Sequence, residues 1–246
     1  MNPMLAWLKT LFLAALVLVN AGCATLPQGH VEDPRDPWER YNRAMFEFNE
    51  DADRLVIKPV SEAYRDYTPD VLQFLLRNFF SNLWDIATTV QYLLQGRPAD
   101  AGNSAARVLF NTTLGFGGLG DPASEMGFQK TSKDFGMTLG YWGIAPGPYF
   151  VWPILGPNTV RDSFGFVGDL IYDPMRDVIK TSDGRVASYV VEGMHRRIDV
   201  LKAERTIEAL SFDRYSSVRD AWLARRQNQI YDGNPPPEPF SYDEDE

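Results

Sequence analysis

The 246-residue sequence has little cysteine, little histidine and a shortage of positive charge. One cysteine excludes an intramolecular disulfide and every metal site built from several cysteines, and two histidines leave little material for a histidine-rich metal site. Lysine and arginine number 24 against 33 aspartates and glutamates, a net charge of −9. Because phosphate-backbone binding needs a strong positive field, nucleic acid is not an expected partner. We also expect no metal and no cofactor.

Catalytic motifs are lacking as well. There is no Gly-x-Ser-x-Gly nucleophile elbow and no His-Glu-x-x-His motif. His195 stands beside two arginines on a predicted helix, so we interpret it as a solvated surface histidine and not as a general base. Asp169 and Asp173 lie one helical turn apart, the spacing of an acid–base pair, but Asp173 precedes Pro174 as a helix cap would. We expect a protein that is not an enzyme.

The first 22 residues have the features of an export signal. An unbroken apolar run, Leu11–Val19, follows a lysine and precedes small residues. This run is too short to cross a bilayer, which takes about 20 residues. The segment Asn20–Cys23 resembles a bacterial lipobox, in which the cysteine receives the acyl chains of a lipoprotein. We expect residues 1–22 to be removed and Cys23 to be lipidated. By the sorting rule of bacterial lipoproteins, Ala24 favours the outer membrane.

Charge and proline divide the remaining chain into a body and a tail. Six acidic residues and no basic residue follow Tyr231. The run Asn234-Pro-Pro-Pro-Glu-Pro cannot continue a helix, because proline lacks the backbone N–H and fixes φ. We predict a linker over residues 23–35, a single helical domain over residues 36–231, and a disordered acidic tail over residues 232–246.

The body pattern predicts helices separated by proline and glycine, with no alternating run long enough for a strand of useful length. The predicted starts and stops are the Asp36 cap, an interruption at Pro59, a helix from Thr68-Pro69 to Gly96, a helix from Arg97-Pro98, a short helix over 134–140, a start near Asn158, and caps at Ser182 and Asp213. The run Pro146–Pro157 is predicted to be extended and packed, but not a sheet strand. The predicted fold class is all-α or very nearly so.

The predicted helix between Val71 and Leu94 has an unusual distribution of residues. Its polar side chains form a narrow stripe, and nearly everything else is apolar. The stripe consists of Gln73, Arg77, Ser81, Asp85 and Thr88, with Asn78 and Asn82 beside it. An apolar arc wider than half the circumference indicates a helix buried on several sides or a helix lying in a membrane interface. Periodicity does not separate the two, but the polar positions exclude a transmembrane span.

A glycine-rich segment follows the next predicted helix. It consists of Gly115, Phe116, Gly117, Gly118, Leu119 and Gly120. No Gly-Lys-Ser/Thr motif is present and no predicted strand precedes the glycines, so we do not assign nucleotide binding. Because glycine adopts positive φ without steric cost, the segment is either a flexible hinge or a site of close helix packing.

A series of motifs runs in order along the body. These are Asp36–Asn49, Lys58–Arg65, Leu93–Gly96, Asn111–Asp121, Phe135–Gly140, Gly147–Tyr149, Gly156–Asp162 and Tyr215–Arg219. Together they resemble the VacJ/MlaA family of Gram-negative outer-membrane lipoproteins. The motif positions that we take as candidate functional residues are Asp36, Pro37, Asn42, Arg43, Phe46, Asn49, Pro59, Arg65, Asn111, Asp121, Gly147, Pro148, Arg161 and Asp162.

This resemblance implies a ring-like assembly of amphipathic helices that lies in the periplasmic leaflet of the outer membrane, beside a trimeric porin. It implies removal of mislocalised outer-membrane phospholipid from the outer leaflet through a central channel, and transfer to a soluble periplasmic carrier protein. Phospholipid is then the cargo, and acyl chains on Cys23 are the anchor. In that scheme the segment Gly115–Gly120 becomes a candidate lipid path or hinge.

Two functions of other classes remain open. One is a structural envelope lipoprotein that braces a porin without transferring lipid, and the other is a lipid hydrolase. The missing nucleophile–base pair disfavours the hydrolase. A pure scaffold would neither co-purify with phospholipid nor change its distribution, so lipid binding separates the scaffold from the transporter.

Overall fold

The computed structural model describes residues 32–210 and 213–236, with the backbone alone over residues 202–210. In chain order the elements are α1 (Glu39–Ala52), a π-helical turn (Asp53–Ile57), α2 (Lys58–Tyr67), α3 (Asp70–Leu94), α4 (Pro98–Thr113), α5 (Pro122–Glu125), α6 (Phe135–Tyr141), β1 (Tyr149–Trp152), β2 (Gly156–Thr159), α7 (Val160–Ile171), α8 (Pro174–Val178), α9 (Ser182–Leu210) and α10 (Arg214–Ile230). The predicted signal peptide, Cys23 and the last ten residues of the predicted tail lie outside the described residues.

The predominance of helices confirms the predicted all-α class, and one antiparallel hairpin corrects it in detail. β1 pairs with β2, with Tyr149 opposite Thr159 and Trp152 opposite Gly156. The prediction that Pro146–Pro157 contains no strand is therefore wrong. A two-stranded hairpin leaves an edge of each strand unpaired, so proline is tolerated in it. The helix predicted to start near Asn158 begins at Val160 instead.

The strongest start and stop signals are confirmed. The third helix ends at Leu94, and Gly96 follows with a φ of +70°. The Arg97 N–H donates to the Tyr92 carbonyl at 2.9 Å, and the Gly96 N–H donates to the Leu93 carbonyl at 3.0 Å. This is the Schellman arrangement, in which a left-handed glycine closes the helix.

Two cap predictions and one predicted interruption are corrected. α1 begins at Glu39, and Asp36 is a buried residue ahead of it, not its cap. Ser182 is the first helical residue of α9, and the Thr181 hydroxyl accepts the Gly184 N–H at 3.3 Å in its place. Pro59 does not interrupt the helix, because the chain remains helical through the π-helical turn Asp53–Ile57, whose wider hydrogen-bond pattern directly precedes the proline.

Residues at both predicted domain boundaries contact the body. Asp232, the first residue of the predicted tail, lies 2.5 Å from an Arg97 guanidinium nitrogen and 2.8 Å from the Lys133 ammonium. In the predicted linker, the Arg35 carbonyl accepts the Tyr149 N–H at 2.8 Å. The packed body therefore extends beyond the boundaries drawn from the sequence.

The interior of the described region is unusually polar, since its buried polar side chains outnumber its buried apolar ones. On α3, Asn82, Asp85 and Thr88 are nearly inaccessible, whereas Val71 and Phe74 near its start are 70% and 56% exposed. The polar residues in the second half of α3 therefore face inward, whereas Arg77 pairs with Asp199 near the surface and the exposed apolar residues lie at the two ends of the helix. Both interpretations that periodicity left open apply to part of the helix: its middle is buried on several sides, with Phe80 and Leu83 in an apolar cluster, and its ends expose apolar surface.

The outer surface shows the complementary pattern. On α7, Phe164, Val167 and Ile171 follow each other at spacings of three and four and are all exposed. Large exposed apolar surfaces mark sites of protein or membrane contact. Over residues 32–210 and 213–236, none of the helices has the length and hydropathy to cross a bilayer.

Candidate functional site

A cavity of about 280 Å³ lies beside the hairpin. Its walls come from α1, the π-helical turn, the hairpin turn, α9 and α10. The lining residues are Phe46, Asn49, Glu50, Asp53, Ile57, Ile154, Gly156, Pro157, Arg197, Val200, Arg214 and Val218. The cavity therefore combines aliphatic and aromatic side chains with four charged ones.

Two ion pairs stand in the cavity wall. The Glu50 carboxylate of α1 lies 3.1 Å from a guanidinium nitrogen of Arg214, at the start of α10. Asp53 accepts two hydrogen bonds of 2.6 Å from Arg197 of α9, one at each carboxylate oxygen. Among the lining residues that the structure describes, two are acidic and two are basic.

The cavity is too small for a whole phospholipid. Sites for drug-sized ligands occupy about 300–1,000 Å³, and a two-tailed lipid is larger than such ligands. A cavity of about 280 Å³ therefore accommodates a head group or part of one acyl chain at a time. The exposed side chains of Ile154 and Leu155 at the hairpin turn provide apolar surface next to it.

Two asparagines of α1 hold the hairpin in place. Asn42 donates to the Tyr149 carbonyl at 3.1 Å and accepts the Val151 N–H at 2.9 Å. Asn49 makes the same pair of bonds three residues further along the hairpin, at 2.8 and 2.6 Å. Seven helical residues span about 10.5 Å, which matches three extended residues at about 10 Å. Side-chain amides thus cover polar backbone groups that the hairpin leaves unpaired.

A buried carboxylate anchors the start of α1. Asp36 accepts a hydrogen bond of 2.7 Å from Asn42, one from the Tyr215 hydroxyl, and one of 3.3 Å from Arg219. Burial is the main cause that raises the pKa of Tyr215, so this hydroxyl stays protonated and donates. The motif residues Asp36 and Asn42 are therefore structural supports of the hairpin and of α10.

Arg43 joins α1 to the start of α10. Its guanidinium donates to Glu39 at 2.8 Å, bonds the Asp213 carboxylate, and lies 4.4 Å above the centre of the Tyr215 ring. The hydrogen bond from Arg43 lowers the pKa of Asp213 to about 2. This ion pair fixes Asp213 at the position where the sequence predicts the cap of the last helix.

The polar stripe of α3 ends in a buried cluster around Arg107. The guanidinium, 1% exposed, lies 3.2 Å from Asp85 and 2.9 Å from Asp121. Lys130 approaches Asp85 at 2.6 Å, and Asn111 donates to Asp121 at 2.9 Å. Burial raises the pKa of Asp85 against the opposing effect of its two cations. The motif residues Asn111 and Asp121 belong to this cluster and position the start of α5.

A second buried cluster surrounds Arg226 of α10. Its guanidinium bonds Asp134 at 2.6 and 2.7 Å and Asp162 at 3.1 Å from two nitrogens. Arg161 donates to the same Asp162 carboxylate at 3.0 Å. Burial raises the pKa of Asp162, but the hydrogen bonds from Arg226 hold it below the usual value. The motif pair Arg161 and Asp162 therefore ties α7 to α6 and α10.

The remaining motif residues shape turns or lie at the surface. Gly147 has a φ of +67°, which favours glycine, and the Pro148 carbonyl accepts the Val160 N–H at 3.1 Å, so both prepare the entry into the hairpin and α7. Pro37, Pro59 and Arg65 are exposed, and Arg65 bonds its neighbour Asp66. Of the candidate functional residues, Phe46 and Asn49 line the cavity, and so do Gly156, Pro157 and Val218 from the wider motifs.

The glycine-rich segment is packed and hydrogen-bonded. A Cβ on Gly115 would lie 2.4 Å from the Asn111 carbonyl oxygen, and one on Gly118 would lie 2.6 Å from the Asn82 amide nitrogen. The Leu119 carbonyl accepts the Asn78 side chain at 3.0 Å. Gly117 has open space around it and a φ of +77°. These contacts favour close packing for most of the segment.

Phe116 differs from the rest of that segment. It has a φ of 54° and is 87% exposed, so its ring points away from the packed core. The segment therefore presents one large apolar side chain on a tightly held backbone. Its role as a hinge stays a prediction.

The interpretation of His195 as a surface residue is wrong. It is 4% exposed, and its Nε2 lies 3.0 Å from the Tyr64 hydroxyl. The contact between α2 and α9 covers the ring, and burial lowers its pKa. The two arginines that follow in the sequence suggested a solvent-exposed helix face, but His195 itself packs between α2 and α9.

Asp169 and Asp173 do not form an acid–base pair. Asp169 accepts the Phe135 N–H at 2.9 Å, and burial raises its pKa to about 7. Asp173 caps α8 by accepting the Met175 N–H at 3.0 Å, as predicted from Pro174. Each carboxylate thus holds the start of a different helix.

Sequence reasoning missed most of the cavity. Glu50, Asp53, Arg197 and Arg214 come from distant parts of the chain, and nothing local pairs them. The hairpin did carry a signal, because Tyr149–Trp152 is aromatic and β-branched and a glycine follows shortly after. Because the hairpin strands are short, this signal did not stand out in the sequence.

Fold and site together define a class of protein: a helical protein with many buried polar side chains, exposed apolar residues on α3 and α7, and a pocket lined by both apolar and charged residues. The MlaA lipoprotein family model matches residues 34–229. The chain belongs to the MlaA lipoprotein family, which confirms the resemblance seen in the motifs.

Relatives cover different shares of the chain. A protein of Escherichia coli strain K12 named intermembrane phospholipid transport system lipoprotein MlaA is 35% identical over 223 residues, 89% of this chain and 86% of that one. The Haemophilus influenzae protein of the same name is 29% identical and covers 92% of each chain. An uncharacterized Rickettsia typhi protein is 42% identical, and this chain spans about half of its length, 51%.

A solved structure agrees with the whole described body. It was determined for work on the structural basis for maintenance of bacterial outer membrane lipid asymmetry. It matches this chain with a TM-score of 0.71 and 33% sequence identity, and covers 81% of this chain and 99% of its own. The chain therefore shares its overall fold with a protein whose structure has been solved.

Proposed function

We propose that this chain is the outer-membrane lipoprotein of an intermembrane phospholipid transport system. It removes mislocalised phospholipid from the outer leaflet and passes it to a periplasmic carrier, which maintains outer-membrane lipid asymmetry. The observation that carries the proposal is the charged and apolar cavity of about 280 Å³ beside a hairpin with an exposed apolar turn. The names of the full-length relatives support it.

The physical task matches this site. A phospholipid head group cannot cross hydrocarbon unaccompanied, because an unpaired polar group there costs several kcal/mol. A passage must offer charged partners to the head and apolar surface to the tails. Arg214 and Glu50 offer the first, while Phe46, Val200 and Val218 offer the second. Lipid passage itself needs no bond to be broken.

The large apolar side chains exposed on α3 and α7 support placement of the helices in the periplasmic leaflet, with a trimeric porin as neighbour. Exposed apolar residues of α3 and α7 then contact lipid tails, and the acyl chains of Cys23 anchor the protein. Cys23→Ser should leave the protein in the periplasm or at the inner membrane, as measured by fractionation. Unchanged outer-membrane retention would contradict the anchor.

The transfer step can be tested by filling the cavity. Val200 and Val190 both lie on α9 and are 50% and 52% exposed, but only Val200 lines the cavity. In a strain that lacks the chromosomal copy, the full-length Val200→Trp variant should fail to lower surface phospholipid, measured with a membrane-impermeant amine reagent. Val190→Trp is the matched control and should restore the low level.

The outcomes separate the alternative functions. If Val200→Trp complements as well as the original chain, the cavity is not the lipid path. If deletion of the gene leaves surface phospholipid unchanged, the chain acts as a structural brace. The hydrolase alternative has less support, since Ser163 bonds the Thr159 carbonyl and Trp152 while His195 bonds Tyr64. Release of fatty acid from vesicles by the purified protein would revive it.

A further inference from the structure

The junction between α6 and α7 is formed by unusually close contact. A Cβ on Gly165 of α7 would lie 2.4 Å from the Cα of Gly136, and a Cβ on Gly168 would lie 2.5 Å from the Phe135 ring. At Gly165 the two helices therefore meet backbone to backbone. Because closely packed groups transmit strain, a charge that arises at this junction acts directly on the distance between the helices.

Three carboxylates and two guanidiniums surround the junction. Asp134 precedes α6, Asp162 and Asp169 lie on α7, and both Arg161 and Arg226 bond the Asp162 carboxylate. Arg226 also bonds Asp134. Among the side chains that the structure describes, no cation lies within ion-pair distance of Asp169, whose carboxylate instead accepts the Phe135 N–H at the start of α6.

The other charged groups close by are held by different partners. Lys133, next to Asp134, donates to the Ile230 carbonyl at 3.2 Å and lies 2.8 Å from Asp232. Asp173, one turn after Asp169, accepts the Met175 N–H and the Tyr189 hydroxyl. The charges that act on Asp169 are therefore those of the junction itself.

The protonation state of Asp169 decides whether the junction is balanced. Burial is the main cause that raises the pKa of Asp169 to about 7, and the negative charge of Asp134 acts in the same direction. A neutral Asp169 leaves two carboxylates for two guanidiniums. A charged Asp169 adds a third carboxylate that has no cation of its own, and an unpaired charge in such surroundings is unfavourable.

We propose that the proton of Asp169 closes the junction of α6 and α7, so that α7 is clamped in acid and released progressively as the pH rises to neutral. Release of α7 moves an apolar face, since Phe164, Val167 and Ile171 are exposed on it. It also acts on the cavity, because β2 leads directly into α7 and the first two residues of β2 line the cavity. The clamp is a property of the chain with or without lipid, so it goes beyond the proposed function.

The direction of the effect follows from proton linkage. In the closed junction the pKa of Asp169 is about 7, whereas in an open junction the side chain meets solvent and the pKa returns towards 3.8. The open form therefore loses its proton first, and the fraction of open junctions should rise by up to about tenfold per pH unit between about pH 4 and about pH 7. Above that range both forms are charged, and the fraction stays constant.

Hydrogen exchange of the full-length chain, purified in detergent, tests the clamp. Protection of the α7 amides is expressed relative to the unfolded chain, so that the intrinsic pH dependence of exchange cancels. It should fall by about tenfold or more between about pH 5 and about pH 7. Asp169→Asn keeps a neutral acceptor for the Phe135 N–H, so its protection should stay constant. Asp177→Asn removes an exposed carboxylate on α8 and should retain the fall.

Asp134→Asn provides a second readout. It removes the neighbouring charge that raises the pKa of Asp169, so the fall in protection should end at a lower pH. A role of Asp169 in packing alone would not produce this shift. Thermal midpoints verify that each variant is folded, and Asp134→Asn decides the test if Asp169→Asn does not fold.

Three results would overturn the clamp. The first is constant protection of α7 in the original chain, and the second is a fall that Asp169→Asn retains. The third is protection of α7 equal to that of the slowest amides of α4 at every pH, because α7 would then open only when the whole chain unfolds. A fall at α7 amides that are less protected than those of α4, abolished by Asp169→Asn, supports it.

Discussion

Two groups of ion pairs in this molecule use the same residue types and differ in burial. The pairs of Arg107 with Asp85 and of Arg226 with Asp162 are enclosed between helices. The cavity pair of Glu50 and Arg214 is more than a third exposed on average. An enclosed charge cannot change partners without leaving another unpaired, so it holds the fold together. An accessible charge can accept a ligand in place of its protein partner.

The enclosed group gives the largest expected effect. Arg107→Met removes a cation from Asp85, which is fully buried, and removes both bonds to Asp121. Breaking a buried pair from one side costs about 3–5 kcal/mol, so the free energy of unfolding should fall by that amount. Denaturant unfolding of the full chain in detergent measures it.

The control for that variant is Arg196→Met. Arg196 pairs with Glu192 but is 73% exposed, and exposed pairs contribute about 0–1 kcal/mol. Equal losses for the two variants would refute the distinction between enclosed and accessible pairs.

A buried carboxylate outside these pairs should make stability depend on pH. Burial and the nearby Asp134 raise the pKa of Asp169 from 3.8 to about 7. Since the folded protein binds this proton more tightly than the unfolded chain, stability should fall as pH rises from about 4 to about 7, by roughly 2–4 kcal/mol. Asp169→Asn should remove this fall while still accepting the Phe135 N–H. The exposed residue Asp177 supplies the control variant, Asp177→Asn, which should keep the pH dependence.

Asn42 and Asn49 of α1 allow the same comparison between a buried and a more exposed position, here with a neutral side chain. Asn42 is buried and Asn49 is partly exposed, although each holds one carbonyl and one N–H of the hairpin. Asn42→Ala leaves buried backbone groups unpaired at about 1–3 kcal/mol, whereas water can replace the lost bonds in Asn49→Ala. Amide hydrogen exchange should quicken strongly at Val151 in the first variant and only near Ile154 in the second. Equal exchange in both would show that burial does not set the cost.

Two neighbouring glycines of the segment Gly115–Gly120 allow a comparison between an enclosed and an open position, because alanine adds a single carbon atom at each. A Cβ on Gly118 meets the Asn82 side chain at 2.6 Å, whereas a Cβ on Gly117 meets nothing within 4 Å. Both glycines have positive φ, so each alanine costs about 1–2 kcal/mol, and Gly118→Ala should cost about 1 kcal/mol more through overpacking. Thermal midpoints measure this difference. A loss of lipid transfer by a Gly117→Ala variant of unchanged midpoint would instead support a hinge.

Local sequence signals predicted the helices and their ends, but they did not predict which residues from distant parts of the chain form ion pairs. Thr68-Pro69, Gly96 and Asp134 act on their own neighbours, so their sequence context contains the cause of the helix boundary. Arg226 and Asp134 are 92 positions apart, and no local pattern brings them together. The inward direction of the α3 stripe was open for the same reason, since its partner Arg107 lies on another helix.

The hairpin and the cavity were hidden by two other physical causes. Each strand has four residues, which is too few for an alternating pattern to exceed chance. Charge pairs such as Glu50 and Arg214 resemble ordinary surface pairs in sequence, and only the enclosed apolar neighbours distinguish them. His195 was misjudged because sequence neighbours say little about which face of a helix is covered.

The smallest loss of stability is expected for Glu50→Gln, and this variant gives the most direct test of the difference between enclosed and accessible ion pairs. Glu50→Gln breaks an ion pair whose side chains are 35% and 38% exposed, so the free energy of unfolding should change by less than about 1 kcal/mol. The guanidinium of Arg214 stays hydrated at the cavity mouth, and glutamine keeps the volume of the side chain. If denaturant unfolding shows a loss of about 3 kcal/mol, comparable to Arg107→Met, the cavity pair is structural and unavailable to a lipid head group. A loss near zero would show that the cavity pair does not hold the fold together and would leave that role to the enclosed clusters.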